Sequence, residues 1–167
     1  VLYVNGQLGY SLTVAGLIVS LMTAMQIVGL TCTGFLGDRI DKRIIVITCM
    51  GLHAAGMLLL AYAQNIWMVV GFAALHGIAW GTRGPLMQAI RADYFGATHF
   101  GSIMGWSSLI VMLGMAIGPI YAGYMADRTG NYQAGFTTLA IAAVFGAIFF
   151  LLAKHPYHSD RQPADGK

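Results

Sequence analysis

The chain has 167 residues, 57% of them hydrophobic and only 9% charged, with no Glu and a net charge of +3. A soluble domain carries about 25% charged residues, so this composition excludes one. The small positive balance calls for no nucleic-acid partner, and two cysteines set no disulfide framework.

Residues 1–11 have no basic n-region and do not read as a signal peptide; they look like the tail end of an element. Crossing a hydrocarbon core of roughly 30 Å takes about 20 apolar residues. Five such runs follow, at about 12–36, 44–63, 66–90, 103–126 and 134–153. The expected fold is an all-α membrane protein, a polytopic helical bundle of about five transmembrane helices over residues 1–154. A polar tail, 155–167, is expected to be disordered.

The first span ends in GFLGDRIDKR, residues 34–43, which holds five of the fifteen charged side chains: Asp38, Arg39, Asp41, Lys42 and Arg43. The two-residue link Gln64-Asn65 makes the second and third spans antiparallel neighbours. In the third span, His76, Trp80 and Arg83 recur at i, i+4, i+7 and share one helical face. Gly77, Gly81 and Gly84 form a small-residue stripe beside them, suited to close helix packing in lipid. Gly84-Pro85 and Gly118-Pro119 are expected to kink the third and fourth helices.

Alternating the loops puts Arg39, Lys42, Arg43, Arg91, Lys154, Arg161 and Lys167 on one face and only Arg128 on the other. The positive-inside rule makes the first face cytoplasmic, with the C-terminus inside, in an inner or plasma membrane. Asp38 and Arg39 stand at a helix end, where they can bond orphan backbone groups and each other. Lys42 and Arg43 are expected to hold the loop at the anionic membrane surface. The ends of the first and fourth spans are alike: Gly34-Phe35-Leu36-Gly37-Asp38-Arg39 beside Gly123-Tyr124-Met125-Ala126-Asp127-Arg128. With the topology above they lie on opposite faces, as an inverted-topology repeat of a secondary transporter would give; the alternative is chance similarity over six positions.

GFLGDRIDKR resembles the cytoplasmic loop signature of the major facilitator superfamily: Gly34, Asp38, Arg39, Lys42 and Arg43 match, and Asp41 stands where Gly is usual. Gly105, Gly114, Gly118-Pro119 and Gly123 follow a glycine spacing found in the same family. The resemblance implies the last five helices, and the end of the seventh, of a twelve-helix major facilitator fold whose N-terminal half is the missing partner. It implies transport of a small solute across the bilayer by alternating access, as antiporter or symporter. Asp38 and Arg39 would then latch the two halves together. The stretches IRADYFGATHFGSIMG and DRTGNYQAGF look closest to the monocarboxylate and oxalate–formate transporter branch. That analogy has the first, third and fourth spans line the cavity, making Gln26, Trp106, Ser107 and Ser108 secondary substrate-binding candidates and leaving His53 structural. Carboxylate carriers often have a cation in the helices matching the first and fourth spans, and this chain has none there.

An intramembrane Arg83 suits an organic anion such as a monocarboxylate, although its stem could also snorkel to the surface. Every Asp lies in a loop or the tail, so only His76 and, less readily, His53 can titrate within a span. Proton coupling would otherwise fall to the missing half, or the carrier would be a uniporter or exchanger. No catalytic residues, metal ligands or cofactor are expected, and the chain does not read as an enzyme. The alternatives are a complete five-span structural or assembly subunit without transport activity, and the second to sixth helices of a facilitator's first half.

Overall fold

The computed structural model describes residues 1–37, 39–96 and 100–152. After one wide, π-type helical turn at Tyr3–Gln7 come five helices: α1 (Leu12–Leu36), α2 (Lys42–Ala61), α3 (Ile66–Phe95), α4 (Phe100–Thr129) and α5 (Gln133–Leu152). Among the described residues there is no strand. Asp38, residues 97–99 and the expected tail lie outside the described residues.

Local chemistry sets the helix ends. Ser11, Asp41 and Asn65 cap α1, α2 and α3, their side-chain oxygens accepting from the amides of Val14, Arg43 and Met68, which satisfies donors that a helix start leaves orphaned. Gly96 (φ 67°) and Gly130 (φ 75°) end α3 and α4 in a left-handed conformation that residues with a Cβ avoid. Within the apolar runs, hydroxyls are met by the helix itself: Ser20, Thr23 and Thr48 each donate to the carbonyl four residues earlier. A segment surrounded by lipid has no water to do this.

Among the described residues, α1, α2, α4 and α5 are long and apolar enough to cross a membrane. α3 is long enough but less apolar, and it is the central helix, packed between α1 and α2. Val69, Ala73, Gly77, Ala79, Gly81, Thr82, Leu86 and Ile90 are all buried along it. Thr82 is buried and His76 and Arg83 are partly buried, so these polar groups are at least half shielded by protein, the usual placement of such groups. On the other side α2 packs on α5, and α5 carries α4. α4 is the least covered, with Ala122 its only buried residue. Both Pro85 and Pro119 sit inside continuous helices.

The α1–α3 crossing is the tightest in the bundle. A Cβ at Gly81 would run into the Gln26 carbonyl, one at Gly77 into the Met22 carbonyl, and one at Gly29 into the Ile78 carbonyl. Across the seam the Thr82 hydroxyl donates to the Gly29 carbonyl at 3.1 Å, and the Thr33 hydroxyl lies 3.3 Å from the Thr82 carbonyl. Interhelical hydrogen bonds of this kind are worth about 0.6 kcal/mol each in lipid, so most of the stabilisation is the close backbone packing. Gly84 meets nothing within 4 Å and takes no part.

At one end of the bundle, Lys42 Nζ lies 2.6 Å from the Asp93 carboxylate of α3, and the Arg43 guanidinium donates to the carbonyls of Phe150 and Leu151 at the end of α5, at 3.0 and 3.2 Å. These two cations, expected to hold the loop at the membrane surface, also tie α2 to its neighbours. A cation on the open carbonyls of a helix C-terminus is favoured by the helix dipole. The half-exposed Lys42–Asp93 pair adds about 1 kcal/mol or less. At the opposite end, Gln7 donates to the Gly130 carbonyl at 3.2 Å, and Tyr3 meets Tyr132 and Phe136 edge-on. Leu36 and Thr129 therefore end at opposite poles, which sets the two similar hexapeptides upside down to each other.

Candidate functional site

Between the helices lies a cavity of about 780 Å³. α3 supplies His76, Trp80 and Arg83; α1 supplies Met22 and Gln26; α2 supplies Met57; α5 supplies Phe136 and Leu139. α4 lines it with Val111, Gly114, Met115, Gly118, Pro119 and Ala122, a stripe at i, i+3, i+4, i+7, i+8 and i+11. Gly114 and Gly118 thus line the cavity instead of a helix contact within the chain: an added Cβ at either meets nothing within 4 Å.

Polar groups in the cavity are few and ordered. The Arg83 guanidinium carbon stands 5.2 Å from the centre of the Trp80 ring, a cation–π distance. Trp80 and His76 stack at 6.2 Å with an 18° interplanar angle, and Phe72 lies 5.1 Å beyond His76. Among the described residues the only salt bridge is Lys42–Asp93, so no carboxylate there neutralises Arg83. Counting about 1.5 Å per residue from Ile66 puts His76 roughly 15 Å along α3, about a third of its length, with Arg83 two turns nearer the Lys42–Asp93 end.

Of the sequence candidates, Gln26, His76, Trp80 and Arg83 meet in the cavity. Trp106, Ser107 and Ser108 do not. Trp106 is 71% exposed on a separate shallow surface with Ser102, Gly105 and Leu109, because it falls off the α4 stripe. Ser107 and Ser108 continue that stripe one turn outward, beyond the lining residues, and Ser107 donates to the Ile103 carbonyl of its own helix at 2.7 Å. In the loop, Gly34 and Arg39 are exposed, Lys42 and Arg43 hold α3 and α5 as described, and Asp38 lies outside the described residues.

His53 carries a contact that sequence reasoning missed. Buried on α2 at 7% exposure, it lies with its Nδ1 3.1 Å from the Nδ1 of His76, and its ring is 6.1 Å from Trp80. The signal was present: His53 and His76 stand equally far, eleven residues, from the Gln64-Asn65 link. An antiparallel helical hairpin sets such residues opposite each other.

Among the described residues no group of His, Cys and Asp could hold a metal ion. The family model of the Major Facilitator Superfamily matches residues 1–167. The chain is 26% identical to monocarboxylate transporter 12 of Rattus norvegicus, covering 84% of this chain and 30% of that protein. It is 25% identical to a triacylglyceride transporter of Mycobacteroides abscessus (91% and 29%) and 24% identical to the class B tetracycline resistance protein of Escherichia coli (90% and 36%). The chain spans about a third of the length of these curated relatives. No solved structure matches it significantly. A signature loop, a helical bundle around one cavity and a family match along the whole sequence agree: the chain belongs to the Major Facilitator Superfamily.

Proposed function

We propose that this chain forms the cavity wall of a secondary transporter for a small organic anion with an apolar body, such as a monocarboxylate. The observation that carries the reading is Arg83: a fixed cation inside the bundle, posed on Trp80 at 5.2 Å and facing a cavity otherwise walled by Met22, Met57, Val111, Met115 and Phe136. A guanidinium binds a carboxylate through two parallel hydrogen bonds, and the methionines and Phe136 would receive the solute's apolar part. Monocarboxylate transporter 12 among the relatives supports this choice. The lipid and tetracycline relatives show that similarity alone does not select the solute.

Alternating access needs a second group of helices to rock against this one. The length of the relatives and the bare α4 both support a companion half across the cavity, making this chain about five of twelve helices. Asp38 and Arg39 would latch the halves at the cytoplasmic end, with Lys42 and Arg43 holding the loop to α3 and α5.

Gly114→Trp tests the cavity as the pathway. Space is open around Gly114, so the indole fills the cavity without displacing a helix. In the full-length protein, uptake of radiolabelled lactate by proteoliposomes is expected to fall to background while size-exclusion behaviour stays that of the wild type. Uptake at the wild-type rate would contradict the reading.

A further inference from the structure

We propose that His53 and His76 together form a proton-binding site in the cavity wall, coupling uptake of one proton to binding of one anion at Arg83. This rests on the transport reading above. The two Nδ1 atoms are 3.1 Å apart, so one ring donates and the other accepts. The pair shares a single hydrogen between them, and one further proton can join it with that bond intact. A second added proton would set two N–H groups against each other. The pair is thus a one-proton device.

The two rings divide the work. His76 lines the cavity and exchanges protons with it. His53 is 93% buried, and its Nε2 has no hydrogen-bond partner among the described residues. Its Nδ1 holds the His76 ring in place, while Trp80 stacks against His76 and carries Arg83 on the same ring system. The charged and titratable surroundings are sparse. Arg83 stands two turns along α3, and the Cys49 thiol lies one turn from His53 on α2. Among the described lining residues, α1 contributes Met22 and the neutral Gln26, and α4 and α5 contribute nothing ionisable.

A protonated pair is therefore a second positive charge roughly 10 Å from Arg83, with no acidic side chain of the lining to balance the two. An anion seated between them removes that repulsion. By linkage, protonation then tightens the anion and the anion draws in the proton by the same factor, and a monoanion crosses as a neutral pair with its proton.

The test uses the full-length protein in proteoliposomes with lactate as the probe. With both rings replaced, in His53→Gln/His76→Gln, the wall keeps hydrogen-bonding side chains but cannot carry a proton. Lactate–lactate exchange in this variant is expected to become independent of pH between pH 5 and 8, while accumulation driven by an inward proton gradient falls at least tenfold. Gradient-driven accumulation at the wild-type level overturns the proposal. A wild-type protein that exchanges no lactate refutes the lactate reading instead, and ¹⁵N NMR of histidine-labelled wild-type protein then decides the pair. One shared Nδ1 hydrogen and uptake of a single proton by the pair between pH 5 and 8 supports the site; two independent titrations, or none, overturn it. The same spectrum decides if the double variant fails to fold.

Discussion

Gly81→Leu in the full-length protein is expected to abolish the folded, monodisperse species on size-exclusion chromatography, whereas Gly114→Ala leaves it unchanged. At Gly81 the backbone of α1 sits against α3, with the Gln26 carbonyl where a Cβ would go. Overpacking costs about 1–3 kcal/mol where side chains can move aside. Here the obstacle is backbone, so α1 and α3 must part, and the Thr82–Gly29 hydrogen bond and the Gly77 and Gly29 contacts go with them. Against a total stability of about 5–15 kcal/mol, losing that seam is decisive. Gly114→Ala adds a methyl group to open space, and it separates the loss of a glycine from the loss of the crossing. A monodisperse Gly81→Leu protein of wild-type thermal stability would show that the seam is dispensable.

Arg83→Gln is expected to raise the KM for lactate roughly ten- to a hundredfold. A hydrogen bond to a charged group contributes about 1.5–3 kcal/mol, and each 1.4 kcal/mol is tenfold in affinity. Arg83→Lys keeps the charge but loses the planar fork and the stacking on Trp80, so an intermediate KM is expected. If Arg83 did no more than snorkel to the surface, Lys would serve as well as Arg and the Gln variant would keep its KM. Equal KM values for wild type, Arg83→Lys and Arg83→Gln would remove Arg83 from the binding site.

The helices were legible because lipid imposes a simple rule of length and apolarity; the caps at Ser11, Asp41 and Asn65 emerged only from the structure. The i, i+4, i+7 spacing placed His76, Trp80 and Arg83 on one face, and the cavity has all three. Gln26 joins them because the Gly77 and Gly81 stripe draws α1 onto α3 at that level. Tertiary geometry had to supply the rest. Nothing local to Lys42 and Arg43 names Asp93 or the last carbonyls of α5 as their partners. Trp106 was chosen for its chemistry, and helical phase puts it off the cavity stripe. The His53–His76 contact was encoded in the short link between α2 and α3, and reading it required counting outward from that link in both directions.

The central claim, that the solute occupies the cavity between α1, α3 and α4, is tested most directly by protection from thiol labelling. In the full-length protein with Cys32→Ser, Cys49→Ala and any cysteines outside this chain replaced, Gln26→Cys is exposed to a charged methanethiosulfonate with and without lactate. The account predicts that Gln26→Cys is labelled and that saturating lactate slows the labelling severalfold, with a half-effect near the transport KM. Labelling at the same rate with and without lactate, in a protein that transports it, would place the solute elsewhere.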